Sequence, residues 1–177
     1  ATASALLSRQ VQIKLNERVR LARYARAGRL TAVISETNSI SCGGVAGVSD
    51  APVAAVWAVR MILRALRAGF ASVRFHASGG AYDPFVVNAT GAVKTRPLYL
   101  GMLAAARLLT PGAVLQQIPN ADSLDGVAIT APSGARTIVL SNYAASPKRV
   151  LVAASGTVRV LRIVARAPTV LRAVVVP

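Results

Sequence analysis

The sequence predicts an α/β part followed by an all-β part. Up to residue 112, helical patterns alternate with short apolar runs, which is typical of a parallel α/β sheet. From residue 113 onward, short β-branched runs are separated by turn residues, which is typical of an antiparallel β module. No stretch of about 18 uncharged apolar residues occurs, so we expect no membrane-spanning helix.

The first predicted helix spans residues 4–27 and ends before Gly28. Its apolar residues fall on one stripe at spacings of three and four: Leu7, Val11, Leu15, Val19 and Ala22. Arginines occupy most of the other faces, where they could dock phosphates or sulfates. A solvated face is the favoured interpretation, because Tyr24 is the only aromatic residue among them.

The remaining elements are predicted in both parts of the chain. In the first part they are a strand at 30–34, a helix at 50–68, a strand at 70–76 and a helix at 97–109. Asp50 is assigned to capping the second helix. In the second part they are strands at 127–130, 136–143, 149–153, 157–166 and 169–176. The boundary between the parts falls between Ala113 and Asp125.

The composition is strongly basic and apolar. Among the 177 residues, 21 are basic and 6 acidic, which gives a formal net charge of +15. This charge predicts attraction to polyanions, although an arginine-rich composition on solvated faces explains it equally well. Hydrophobic residues make up 54% of the chain, so we expect many segments to be buried against other protein, some of it missing from this chain.

Two polar residues lie where the predicted strands end. Glu36 is the first charge after the first strand, before a loop with three glycines, and His76 ends the second strand. Because the carboxyl ends of parallel strands share one edge, where α/β enzymes place catalytic groups, Glu36 is the leading candidate. The alternative is a strand-end carboxylate paired with a nearby arginine. His76 by itself is better explained as a hydrogen-bonded histidine near the core.

Two other chemistries have little support. Thiol catalysis by Cys42 with His76 lacks an orienting third residue. One histidine and one cysteine are too few for a zinc site, so no metal and no cofactor are expected.

Several short segments occur in a specific order: Ser-Glu-Thr-Asn-Ser at 35–39, Cys-Gly-Gly at 42–44, Val-Ser-Asp at 48–50, Phe-His at 75–76, Tyr82 with Pro-Phe at 84–85, and Arg-Pro-Leu-Tyr at 96–99. A tryptophan-containing helix lies between the third and fourth segments. In this order they resemble the C-terminal part of the family 79 glycoside hydrolases, the heparanase and β-glucuronidase group. The resemblance covers roughly residues 5–110. It implies that residues 1–112 are the last two βα units of a (β/α)8 barrel and that residues 113–177 form a β-sandwich.

The resemblance also implies roles for individual residues. Glu36 matches the nucleophile, which forms a glycosyl-enzyme intermediate. The amides of Gly43 and Gly44, with the hydroxyl of Tyr82, match groups that hold the uronic-acid carboxylate. Two further residues, Asn38 and His76, are expected to line the sugar pocket.

The chain departs from the family pattern at the second carboxylate. Retaining hydrolysis needs two carboxyl groups about 5–5.5 Å apart. In the family the acid/base follows an asparagine on the fourth barrel strand, whereas here the other Asn-Glu pair, Asn16-Glu17, lies inside the arginine-rich helix. Asp83 is assigned to a loop, and Asp122 and Asp125 to the domain connection. The chain is therefore expected to lack the acid/base and the first six barrel strands.

We therefore expect a portion of a retaining hydrolase of β-glucuronides or acidic glycans, inactive by itself. The alternative is a non-catalytic, truncated or diverged module that binds a polyanionic glycan or a partner chain. The expected partners are a glucuronic-acid-containing glycan and either the missing N-terminal barrel segment or a second chain, with no specific nucleic acid and no membrane. The resemblance alone favours a secreted or periplasmic location. The start at Ala1 leads us to expect a processed or excised piece.

Overall fold

The computed structural model describes residues 2–119, 124–142, 147–151, 160–167 and 170–176. The helices are α1 (Ala3–Leu6), α2 (Arg9–Ala27), α3 (Pro52–Ala68) and α4 (Pro97–Leu108). The strands are β1 (Val33–Thr37), β2 (Ser72–Phe75), β3 (Phe85–Val87), β4 (Val93–Thr95), β5 (Val114–Ile118), β6 (Leu124–Thr130), β7 (Arg136–Asn142), β8 (Val160–Ala167) and β9 (Val170–Val176). No helix of this described part is long and apolar enough to cross a membrane.

The first predicted helix is two helices. Ser8 is the N-cap of α2, and its hydroxyl accepts a hydrogen bond from the Val11 amide at 3.5 Å. The prediction of one helix over residues 4–27 is therefore wrong at residues 7–8, because a serine cap competes with continuation of the helix. Ala22, on the predicted apolar stripe, is buried against Ala65 of α3 and against Phe70, which lies between α3 and β2.

A parallel βαβ unit holds the centre of the first part. β1 and β2 pair in parallel, and α3 connects them. The strand predicted at 30–34 is β1, which begins and ends three residues later than predicted. It extends to the polar residue Thr37, which pairs with β2, and Leu30 is exposed before it begins. Parallel pairing of this kind occurs in open sheets and in barrels alike. The barrel stays a prediction.

A hairpin of β3 and β4, for which no strand was predicted, follows β2. The Asn88 carboxamide oxygen accepts hydrogen bonds from the Thr90 and Ala92 amides and closes the turn. Each strand has three residues, which is too short for an alternating pattern to indicate a strand.

The helix α3 contributes to two apolar cores. One face packs Trp57 and Met61 with Leu98 of α4, and the Trp57 ring meets Phe75 edge-on at 6.0 Å. Another face packs Leu63 with apolar residues of β6. α4 approaches closely because Gly101 has no side chain: a Cβ there would lie 2.5 Å from the Ala55 carbonyl oxygen of α3.

The second part contains an antiparallel sheet in the order β5-β6-β7 and an antiparallel hairpin of β8 and β9. β5 was not predicted, since its sequence, with two central glutamines, looked like a connection. The strand predicted at 149–153 is wrong at residues 149–151, where no strand forms, and its last two residues lie outside the described residues. The β-sandwich stays a prediction.

Candidate active site

The candidate site lies at the carboxyl edge of β1 and β2. The register runs from Ile34 opposite Val73 to Thr37 opposite Phe75, so β1 holds one extra residue over this interval. Glu36 lies inside this bulge and exposes 69% of its side chain. Bulges commonly redirect a side chain beside active sites, and here the carboxylate is directed to solvent.

The ends of the two strands are tied together by side-chain and backbone hydrogen bonds. The His76 amide donates to the Thr37 carbonyl oxygen at 3.2 Å, and the Asn38 carboxamide donates to the His76 carbonyl oxygen. Asn38 thus fixes the spacing between the two loops that leave this edge. Its predicted place beside the sugar pocket stays a prediction.

The imidazole of His76 faces Glu36. Its Nδ1 lies 3.6 Å from Glu36 Oε1, beyond hydrogen-bond distance but within that of an ion pair when the imidazole is protonated. The His76 side chain is 42% exposed, so its assignment to a position near the core is wrong: the strand ends at Phe75 and places His76 on the open edge. No arginine lies within ion-pair distance of Glu36 among the described residues.

Tyr82 is buried beside this pair. Its ring meets the His76 ring edge-on, with 6.0 Å between centroids. Its hydroxyl lies 3.2 Å from Ser78 Oγ, so the group predicted to bind a carboxylate is held by a neighbouring hydroxyl.

The glycine loop after β1 touches the loop after β2. Gly43 and Gly44 both have positive φ angles, +86° and +80°. The Gly43 carbonyl oxygen accepts from the Ala81 amide at 2.6 Å, and a Cβ on Gly44 would lie 3.0 Å from the Tyr82 nitrogen. Within the described residues the Gly43 amide donates no hydrogen bond, and the Gly44 amide makes one long bond of 3.4 Å to Ser41. These two amides are the ones predicted to meet an anion.

Three residues without a predicted role brace these loops. The Ser49 hydroxyl is buried, accepts from the Val45 amide at 3.0 Å and bonds Ser39 Oγ at 2.9 Å. The Asp83 carboxylate accepts from the Ser78 and Gly79 amides, and Arg96 Nη1 donates to the Gly80 carbonyl oxygen at 2.6 Å. The sequence signal for them was their place within the ordered segments at 48–50 and 96–99, or next to Pro84.

The carboxylates other than Glu36 have other roles or positions. Asp50 accepts from the Gly47 amide at 2.6 Å, so its assignment as the cap of α3 is wrong: the cap position belongs to Ala51. Glu17 is exposed on α2, which leads to the opposite end of β1. Asp125 is buried with two arginines of α3, and not in a connection, because β6 already begins at Leu124. Asp122 lies outside the described residues.

The described residues of the site offer an exposed carboxylate, an imidazole and a pair of glycine amides. They contain no group of three or more His, Cys, Asp or Glu residues that could hold a metal ion, and Cys42 is exposed at a positive φ of +57°. An exposed carboxylate of this kind is able to act as a nucleophile, and hydrogen-bond donors for an anionic group lie nearby. No protein-family model and no curated protein sequence match the chain.

Proposed function

We propose that the chain is the C-terminal portion of a retaining glycoside hydrolase acting on β-glucuronides or acidic glycans, and that it carries the nucleophile Glu36 without the acid/base. The observation that supports this most is the convergence of Glu36, the glycine loop and Tyr82 at the carboxyl edge of a parallel strand pair. In α/β enzymes this edge is where substrates bind.

Glu36 suits a nucleophile in position and exposure. A glycosidase nucleophile must reach the anomeric carbon from one face of the sugar, and the bulge in β1 directs this carboxylate outward. The His76 imidazole lies on one side of this carboxylate, with 3.6 Å between Nδ1 and Oε1. Asn38 donates to the His76 carbonyl oxygen and so holds the main chain from which the imidazole projects.

The neighbouring loops suit an acidic sugar. Glycine at residues 43 and 44 allows an anion to approach the main chain closely, and amides in a left-handed turn attract negative charge. The contact between the two loops holds these amides next to Tyr82. A uronic-acid carboxylate is the ligand group that this side of the site would take.

The proposal can be tested without an acid/base. In a 2,4-dinitrophenyl 2-deoxy-2-fluoro-β-glucuronide, the leaving group departs as a phenolate with the bonding electron pair and needs no proton. A Glu36 carboxylate oxygen would form a bond to the anomeric carbon while the bond to the phenolate oxygen breaks. We expect one equivalent of dinitrophenolate and a stable glycosyl ester on the peptide that contains Glu36, detected by mass spectrometry.

The controls separate nucleophilic attack from binding. Glu36→Gln should abolish the adduct, whereas Glu17→Gln, on an exposed face of α2, should form it at the wild-type rate. An ordinary aryl β-glucuronide with a poor leaving group should release no chromophore, because the acid/base is absent. Absence of any adduct with the activated sugar, or labelling that survives Glu36→Gln, would contradict the proposal.

A second candidate function is a non-catalytic module that binds an acidic glycan or a partner chain. It is favoured by the high exposure of Glu36 and by the other assignments of the described carboxylates. In that case the activated sugar would leave no adduct. A glucuronic-acid oligosaccharide would still bind, with the same affinity for Glu36→Gln as for the wild type.

A further inference from the structure

Three arginines line a cleft at the end of the strand pair opposite Glu36. α2 leads into the start of β1 and α3 into the start of β2, so the ends of both helices meet there. The cleft has a volume of about 440 Å³, within the usual range of ligand pockets. It is lined by Val19, Arg23, Arg26, Ala27, Arg67 and Ala68.

The residues of α2 in this cleft form one helix face. Val19, Arg23, Arg26 and Ala27 recur at spacings of three and four, which places them on one side of the helix. The arginines of this face are therefore directed toward α3. Both arginines are exposed, as the solvated-face interpretation predicts, and they also line the cleft.

Arg26 lies against the end of α3, and Arg67 belongs to the last turn of that helix. A Cβ on Gly69 would lie 2.7 Å from Arg26 Nη2, so the Arg26 guanidinium packs directly over the glycine that ends the helix. Arg67 Nε is buried and has no hydrogen-bond partner among the described residues. A buried donor without a partner is unfavourable, and a bound acceptor would remove that cost.

Among the described residues, the positive charge in the cleft exceeds the negative charge of the groups around it. Each helix C-terminus contributes about half a negative elementary charge, so the two ends offset about one of the three guanidinium charges. Burial, and next the charge of Arg64, lower the pKa of Arg67 from its ordinary value. Asp125 opposes this effect, but both of its carboxylate oxygens already contact other side chains.

We infer that this cleft, lined by Arg23, Arg26 and Arg67, binds a tetrahedral oxyanion, as a phosphate or sulfate group. The guanidinium fork matches such an anion through paired hydrogen bonds, and three forks suit a dianion better than a single carboxylate. The lining residues include no aromatic side chain on which a base or sugar would stack, so the anionic group itself is the recognised feature. This inference does not depend on the proposed hydrolase function.

The test is calorimetric titration of the full chain with inorganic phosphate and with inorganic sulfate, at constant ionic strength set with sodium chloride. Glucose 6-phosphate and glucose 6-sulfate form a second arm. Tighter binding of the esters would identify an oxyanion carried on a larger molecule, and equal binding would identify the free ion. We expect saturable binding at one site, weakened at least about tenfold by Arg67→Gln and by Arg23→Gln, since each removes a charge-assisted contact.

Matched variants keep the result interpretable. Arg20→Gln removes an exposed charge of the same helix outside the cleft and should leave binding unchanged. Arg67→Lys keeps the charge without the fork and should bind with intermediate affinity, and circular dichroism checks that each variant is folded. No saturable binding to the wild type, or equal weakening by Arg20→Gln and Arg23→Gln, would overturn the inference in favour of unspecific attraction to a basic surface.

Discussion

Gly44 determines whether the two loops of the candidate site can meet. It combines a positive φ of +80° with the tightest surroundings in the glycine loop: an added Cβ would lie 2.8 Å from Ser49 Oγ and 3.0 Å from the Tyr82 nitrogen. Gly43, its neighbour, has a similar φ of +86°, and a Cβ there would meet nothing within 4 Å. Comparison of alanine substitutions at these two glycines therefore distinguishes the cost of backbone strain from the cost of a steric clash.

Gly44→Ala should lower stability more than Gly43→Ala and should displace Tyr82. Both variants incur the cost of a left-handed alanine, about 1–2 kcal/mol, but only Gly44→Ala adds a clash with main-chain and serine atoms. Urea denaturation would measure the difference, and labelling by the activated glucuronide should slow more in Gly44→Ala than in Gly43→Ala, because only Gly44→Ala also displaces Tyr82. Equal effects of the two substitutions would contradict the close packing of the loops.

The sequence named the candidate residues but did not predict their surroundings. Glu36 was proposed because it follows an apolar run and precedes a glycine loop, whereas Asn38, Tyr82 and the two glycines were proposed from the resemblance of their ordered segments to a known family. The bulge at Glu36 depends on the register between β1 and β2. A local sequence pattern does not determine this register.

At the scale of elements, α3 contains the least predictable feature of the molecule. Arg60 and Arg64, one turn apart, point their Nε atoms at Asp125 Oδ2 of β6 at 3.4 and 3.0 Å. Gln117 of β5 donates a hydrogen bond to the other carboxylate oxygen, Oδ1, at 3.1 Å. The Asp125 side chain is buried, with an exposure of 4%. These polar residues lie between apolar neighbours, and the partner of Arg60 is 65 positions away, so sequence spacing could not reveal the pairing.

Asp125→Ala should destabilise the fold by about 3–5 kcal/mol, because it leaves two buried guanidinium groups without their carboxylate. The triple variant Arg60→Met, Arg64→Met and Asp125→Leu should recover most of this loss, since apolar side chains of similar size replace the whole cluster. The free energy of unfolding in urea measures both. A loss below about 1 kcal/mol for Asp125→Ala would show that the cluster is solvated.

At the scale of the whole molecule, the described chain leaves much apolar surface uncovered. Leu30, just before β1, and Val33, its first residue, are exposed. Val87 pairs with Val93 across the β3–β4 hairpin, and both are exposed. An apolar cleft of about 280 Å³, lined by residues such as Val73, lies between α3, β2 and α4. Exposed apolar patches of this kind mark surfaces that contact other protein.

We therefore expect the purified chain to associate with itself or to precipitate, as the high hydrophobic content already indicated. Light scattering coupled to size-exclusion chromatography would measure the mass of the particle over a range of concentrations. Addition of sodium chloride should promote association, because it screens the repulsion between chains with a net charge of +15. A single monomeric species with a sharp melting transition would contradict the proposed missing barrel segment.

The helix α3 belongs to the first part of the chain by sequence but packs against both parts. The helix packs Trp57 and Met61 on the α/β side and Leu63 against β6, while its arginines meet Asp125 of that strand. A change in fold class along a sequence often marks units that can be separated, exchanged or inherited independently. Here the second unit takes part of its core, and the counter-charges of its buried aspartate, from a helix encoded within the first. A recombination of the two parts, in evolution or in an experiment, would have to transfer α3 together with the β5–β7 sheet.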